Sequence, residues 1–78
     1  MIPTMQEIGM KCKLFRVANG FYQGDVARAT GYHPSTVSYF ESGRTYNVRV
    51  FLWYLQAGLK VEELFDKEVP SDGENTVS

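Results

Sequence analysis

The sequence has one cysteine and one histidine, and this scarcity excludes several kinds of site. Cys12 alone cannot form an internal disulfide, and with His33 it cannot complete the four-ligand shell of a structural zinc ion. We therefore expect neither a metal nor another cofactor. Cys12 lies on an apolar helical stripe, which favours a core residue over the alternative of a reactive thiol.

Long apolar runs are also missing. Arg49, Gln56 and Lys60 interrupt the most hydrophobic stretch, so no segment approaches the roughly 20 apolar residues that cross a bilayer. Residues 1–4 carry neither the basic segment nor the apolar stretch of an export signal. These absences predict a cytoplasmic protein with no membrane partner.

Features of an enzyme are absent as well. A chain of 78 residues buries too little surface to enclose a large substrate pocket. It shows no paired carboxylates in an apolar setting, no nucleophile spaced to meet a base, and no glycine loop of the phosphate-binding type. We do not expect an enzyme.

Positive charge is scarce over the whole chain, whose net charge of −1 argues against a nucleic-acid partner. The charge is unevenly distributed, however, since residues 1–65 carry +2 and residues 66–78 carry −3. We interpret residues 1–65 as a mildly basic folded domain. We expect residues 66–78 to be an acidic tail with too few apolar side chains to order itself.

Helical periodicity and capping residues predict an all-α protein, a compact bundle of five helices. Thr4 and Glu7 have the spacing of a capping box at the start of the first helix, Gly31 ends the second, and Pro34 opens the third. The predicted helices span residues 5–18, 23–30, 34–42, 47–57 and 61–65.

The fourth predicted helix is apolar nearly all round, so both of its faces must be buried. The two faces consist of Val48, Phe51, Leu52 and Leu55, and of Val50, Trp53, Tyr54 and Ala57. The second face is expected to meet either the short fifth helix or a partner subunit. Val50, Trp53 and Tyr54 are therefore candidate contacts of a homodimer.

The second and third helices have the pattern of a helix-turn-helix. Such a unit needs a small residue where the helices approach, a glycine in the turn, and apolar residues behind the second helix of the pair. Ala27 and Gly31 supply the first two, and Val37 with Phe40 supplies the third. This packing leaves the outer face of the third helix free to enter a DNA major groove.

The chain resembles the Cro/repressor-type helix-turn-helix family, also called the XRE family, over about residues 8–65. The matching positions are Ile8-Gly9, Arg16, Gln23, Val26-Ala27, Gly31, Ser35-Thr36-Val37-Ser38, Glu41, Gly43, Gly58 and Glu63-Leu64-Phe65. The resemblance implies a lambda-repressor-like bundle of five helices. It also implies a sequence-specific regulator of transcription, expected to be a repressor, that binds palindromic double-stranded DNA as a homodimer.

The same resemblance assigns roles on the second and third helices. Gln23 would contact a phosphate at the start of the second helix, although a solvated helix terminus is the alternative. The base edges would be faced by Ser35, Ser38 and Tyr39, and Thr36 would lie nearer the phosphates. Short hydroxyls discriminate bases less well than Arg or Gln, so we expect contacts with thymine methyl groups and with water.

Three positions, His33, Pro34 and Tyr22, depart from the family pattern, and a fourth, Arg44, matches it. His33 and Pro34 stand where Ser-Arg is often found, and His33 either caps the third helix or touches a phosphate. Tyr22 replaces the usual Ser or Thr cap of the second helix and is expected to lie against the DNA backbone. Arg44 matches a position that reaches phosphates or the minor groove, with a solvated arginine as the alternative. We include all four residues among the candidate DNA contacts.

Two further expectations concern structure and partners. Arg16 and Glu41 match positions that form a structural salt bridge across the bundle in similar proteins. A protein-interaction module, such as an antitoxin or an accessory protein, is the alternative function. The acidic tail, or the face of the fourth helix that contains Trp53, would then bind the partner.

Overall fold

The computed structural model describes residues 2–65, so the predicted acidic tail at residues 66–78 lies outside the described residues. Residues 2–65 form four α-helices and one short 3₁₀ helix, with no β-strand among them. The elements are α1 (Met5–Ala18), α2 (Gln23–Thr30), α3 (Pro34–Glu41), α4 (Val48–Ala57) and the 3₁₀ helix (Val61–Leu64). The all-helical prediction is confirmed. None of these helices has the length and apolar character that crossing a membrane requires.

The fifth predicted α-helix is instead the four-residue 3₁₀ helix. Lys60 precedes it without a side-chain cap, and the chain is extended again at Phe65. A segment this short does not repay the nucleation cost of an α-helix, whereas a 3₁₀ turn is a common form for such short pieces. The fold therefore contains four α-helices where the sequence predicted five.

Local capping determines where the first and last α-helices begin. The main-chain N–H of Thr4 donates to Glu7 Oε1 at 2.8 Å, and the N–H of Glu7 donates to Thr4 Oγ1 at 3.1 Å, which is the predicted capping box. At α4, Asn47 Oδ1 accepts from the N–H of Val50 at 3.1 Å. Asn47 is therefore the cap of α4, and the helix begins one residue later than predicted.

The core lies between the four helices. α3 packs against both α1 and α2, and α4 packs against α1 and α2. Cys12 is fully buried there, as predicted from its place on the apolar stripe. The other buried apolar residues are Val26, Ala27, Val37, Phe40, Val50, Tyr54, Leu59 and Leu64.

The burial of α4 corrects part of the predicted dimer interface. Val50 and Tyr54 are 0% exposed within the single chain, so the prediction that they contact a second copy was wrong. The ring of Tyr54 stacks on Phe40 with 5.9 Å between centroids. Trp53 is half-buried and meets Phe21 edge to face, and its role in a dimer stays a prediction. Of the face expected to meet either the short fifth helix or a partner subunit, Val50 and Tyr54 thus belong to the chain's own core.

Gly9 allows α1 to approach the end of α3 unusually closely. A Cβ atom at this position would lie 2.5 Å from the carbonyl oxygens of both Phe40 and Glu41. Real Cβ atoms do not approach backbone oxygens to this distance, so any side chain would push the two helices apart. The missing side chain of Gly9 therefore brings Glu41 close to the side chains of α1.

Candidate nucleic-acid interface

The turn between α2 and α3 has the geometry that the sequence predicted. Gly31 ends α2 in the left-handed conformation with φ of 82°, which a residue with a side chain rarely adopts. The N–H groups of Gly31 and Tyr32 both donate to the carbonyl of Ala27, at 2.9 and 3.0 Å. Ala27 and Val37 are buried behind the turn. The two short helices are therefore held together by a tight, glycine-dependent connection.

The outer face of α3 carries hydroxyl groups and one aromatic ring. Ser35 and Ser38 are exposed, and Tyr39 is 46% exposed. Thr36 is partly buried, while Pro34 lies exposed in the first turn. The side chains that we assigned to base edges therefore stand outside the core. Had they been packed inside, a DNA-reading role for this helix would have been impossible.

His33 caps α3. Its Nδ1 atom accepts the main-chain N–H of Ser35 at 3.1 Å, and Ser35 Oγ lies 2.9 Å from the same nitrogen. The cap interpretation of His33 is thereby confirmed. Because Nδ1 accepts, the ring proton of the neutral imidazole resides on Nε2, which remains a donor for an external group.

The first turn of α2 is capped by a residue that sequence reasoning missed. Asp25 Oδ2 accepts from the main-chain N–H of Tyr22 at 2.7 Å, while the Tyr22 side chain makes no capping hydrogen bond and is 77% exposed. Asp25 also pairs with Arg28 at 2.5 Å. The signal was present in the sequence, because an acidic residue three positions after a helix cap is half of a capping box.

Gln23, the predicted phosphate contact, is partly buried and bonds to the protein itself. Its Nε2 atom donates to Glu41 Oε1 at 3.3 Å. Neither of the two readings from the sequence, phosphate contact or solvated terminus, included this hydrogen bond. It joins the start of α2 to the end of α3, and therefore links the two helices of the helix-turn-helix at a second point besides the turn.

The Arg16–Glu41 pair predicted from the sequence is present and buried, with 7% and 3% of the two residues exposed. Arg16 Nε donates to Glu41 Oε2 at 2.7 Å and Nη2 donates to Oε1 at 3.1 Å. The third nitrogen, Nη1, donates to the carbonyl of Phe21 at 2.9 Å. The hydroxyl of Tyr54 also donates to Glu41 Oε2, a contact that helix periodicity gave no reason to expect.

Burial changes the acid–base behaviour of the groups around this carboxylate. Burial, together with the smaller effect of the negative charge of Glu41, raises the pKa of the Cys12 thiol to about 12. Burial, followed by the hydrogen bond to Glu41, raises the pKa of Tyr54. The hydrogen bond to Glu41 raises the pKa of Arg16 against the opposing effect of burial. Cys12 and Tyr54 therefore stay neutral beside a charged Arg16, and Cys12 is not a reactive thiolate.

Two arginines flank the helix pair in different ways. The guanidinium of Arg44 lies 5.6 Å from the centre of the exposed Tyr39 ring, within the range of a cation–π contact. Arg49 Nε instead donates to the carbonyl of Thr30 at 2.8 Å, where it caps the end of α2. Arg44 is thus at the edge of the outer face of α3, whereas Arg49 stabilises the scaffold.

The fold and this surface define a small all-helical domain with two short helices joined through a glycine turn. Comparisons with protein-family models, with curated proteins and with solved structures returned no match for the chain. The resemblance to the XRE family therefore depends only on the residues quoted in the sequence analysis.

Proposed function

We propose that the chain is a sequence-specific regulator of transcription that binds duplex DNA with α3 in the major groove. The observation that carries this proposal is the division of α3 into two faces. Val37 and Phe40 are buried, while Ser35, Ser38 and Tyr39 face outward behind a tight glycine turn. A major groove admits one α-helix, and an outward face without a role in the core is what such a helix needs.

The surroundings of α3 supply groups that suit the phosphate backbone. Arg44 brings a positive charge beside Tyr39, and Nε2 of His33 is a donor at the other end of the helix. Tyr22 exposes its phenol at the start of α2. Contacts of this kind set the register of a protein on DNA without reading the sequence.

The outer face of α3 also indicates how bases would be read. Its exposed positions carry no Arg, Lys, Asn or Gln, the side chains that make bidentate bonds to guanine or adenine. Tyr39, Pro34 and the serine methylenes offer apolar contact instead. We therefore propose that thymine methyl groups and bridging water carry much of the specificity.

Selection of bound sequences from a random duplex pool tests the proposal directly. We expect a two-fold symmetric motif with half-sites about 34 Å apart, because a homodimer places its two α3 helices one helical turn apart. Replacing thymine by uracil in the motif should weaken binding, since uracil lacks the methyl group. If affinity for random duplex equals that for the selected sequence, the claim of specificity is wrong.

A matched pair of variants tests the phosphate contacts. Arg44→Ala should make the fall of log Kobs with log salt less steep, so that the magnitude of the slope decreases by about 1, as expected when one phosphate contact is lost. Lys13→Ala removes the same charge from an exposed position on α1 and should leave the slope unchanged. Equal slopes in both variants would show that Arg44 makes no phosphate contact.

One observation favours the second candidate, a protein-interaction module such as an antitoxin or accessory protein. Met10, Leu14 and Val17 recur on one face of α1 and are 51%, 59% and 58% exposed. An apolar stripe of this kind suits a protein partner. A stoichiometric partner that is lost in Leu14→Asp, together with no DNA binding by the chain alone, would favour this function over the first.

A further inference from the structure

The carboxylate of Glu41 joins all four α-helices. It lies at the end of α3 and accepts hydrogen bonds from Arg16 of α1, Gln23 of α2 and Tyr54 of α4. The bonds are divided between the two oxygens, since Arg16 and Tyr54 bond Oε2 while Arg16 and Gln23 bond Oε1. The bonds from Arg16 and Tyr54 fix the orientation of the carboxylate, and so the position of Oε1, the atom that Gln23 contacts.

This contact determines which end of the Gln23 amide faces Glu41. An ionised carboxylate only accepts hydrogen bonds, so the amide must present its NH₂ group and not its carbonyl oxygen. The nitrogen carries two hydrogens, and one of them is donated to Glu41. Within residues 2–65 the amide makes no second hydrogen bond. Its other N–H is thus available to an acceptor outside the chain.

The location of this free N–H matches the chemistry of a phosphate. Gln23 is the first residue of α2, where main-chain N–H groups are not bonded within the helix and the helix dipole favours an anion. Phosphate oxygens, like those of Glu41, only accept. The amide orientation that satisfies Glu41 therefore leaves a donor, and not a carbonyl oxygen, at the start of α2.

We propose that Glu41 is a positioning residue for DNA binding: it orients the Gln23 amide so that one N–H bonds Glu41 and the other bonds a phosphate of the duplex. This inference rests on the proposed function. It gives the buried pair a second role besides stability, because the same carboxylate that neutralises Arg16 sets the direction of a surface donor.

The experiment removes the carboxylate while keeping the core packed. Replacing a buried ion pair by apolar residues of similar volume is often neutral or stabilising, whereas removing one partner is not. The variant is therefore Arg16→Met/Glu41→Met/Tyr54→Phe, in which only the Gln23 amide and the carbonyl of Phe21 lose a hydrogen-bond partner. Its binding to the selected duplex is compared with that of the wild type, Gln23→Ala and the control Gln56→Ala, which removes an exposed amide from α4.

The proposal predicts that the triple variant folds and binds the duplex about tenfold more weakly, with an unchanged salt slope, because the Gln23 amide is neutral and its contact with a phosphate releases no counterion. Gln23→Ala should show the same loss, and adding it to the triple variant should cause no further loss. Gln56→Ala should bind like the wild type. A folded triple variant with wild-type affinity would show that the network is only structural and would overturn the proposal.

A second measurement on the wild type keeps the inference testable if the triple variant does not fold. In free protein, the two side-chain amide protons of Gln23 should differ in the temperature coefficient of their NMR chemical shifts, which should be low for the proton bonded to Glu41. The chemical shift of the other proton should change when duplex is added. Equal temperature coefficients for the two protons, or a duplex-induced shift confined to the proton bonded to Glu41, would overturn the inference. If the wild type binds no selected duplex, the proposed function fails and the inference fails with it. Wild-type affinity in the folded triple variant overturns the inference alone.

Discussion

The substitution Glu41→Gln tests how much of the stability depends on the buried pair. Gln removes the charge but keeps the size, so Arg16 would remain 7% exposed without a counter-ion. Breaking one partner of a buried pair costs about 3–5 kcal/mol. A domain of this size has a free energy of unfolding of roughly 3–10 kcal/mol, taken at about 0.05–0.15 kcal/mol per residue. We therefore expect Glu41→Gln to lose a large part of its stability.

Urea unfolding followed by the fluorescence of Trp53, which packs against Phe21 and Tyr54, provides the assay. The matched control is Arg28→Gln, which breaks the exposed pair of Arg28 with Asp25. The side chain of Arg28 is 76% exposed and that of Asp25 is 33% exposed. An exposed pair contributes under about 1 kcal/mol. If Glu41→Gln and Arg28→Gln shift the unfolding midpoint equally, the buried pair does not stabilise the fold as we argue.

Three further predictions concern single positions. Gly9→Ala should lower the free energy of unfolding by about 1–3 kcal/mol, since its Cβ would lie 2.5 Å from backbone oxygens. Gly24→Ala would bring its Cβ only to an ordinary contact distance of 3.7 Å from Arg28 Nη1 and should raise the free energy of unfolding by about 0.5–1 kcal/mol; equal effects in urea unfolding would refute the close approach. His33→Ala should cost about 1 kcal/mol because α3 loses its cap, and an unchanged thermal midpoint would contradict the observed hydrogen bond. Because folding raises the pKa of Cys12 from 9.0 to about 12, the folded chain keeps a proton that the unfolded chain loses, and stability present below pH 9 should fall as pH rises from 9 towards 12. Unfolding of Cys12→Ala, normalised to its own value at pH 7, should depend less steeply on pH over that range; identical slopes would show that the thiol is not the titrating group.

Local signals in the sequence were enough to predict most of the secondary structure. The bounds of α1 and α2 agree with the prediction because Thr4, Glu7 and Gly31 act within one turn of the helix end they determine. The prediction failed at residues 61–65. In a segment of only four or five residues, the same pattern of apolar positions fits a turn of α-helix and a turn of 3₁₀ helix. Periodicity over so short a segment carries too little information to distinguish them.

The candidate site shows the same limit. The alternation of Val37 and Phe40 with polar neighbours predicted which residues of α3 face outward, since helical spacing alone decides that. Helical spacing could not predict that Val50 and Tyr54 are buried within the chain's own core. An apolar face must be covered, but whether the chain itself or a second copy covers it depends on how the four helices meet.

From the sequence alone one could derive the all-helical class, two of the helices to the residue, the cap of α3 as one of two readings, and the pairing of Arg16 with Glu41. The first three depend on spacing along the chain, whereas the pairing was implied by the resemblance to the XRE family. The tertiary structure alone decided that Glu41 also accepts from Gln23 and Tyr54, which are separated from it by 18 and 13 residues. Hydrogen bonds over such separations depend on how the helices pack against one another, so no local pattern encodes them.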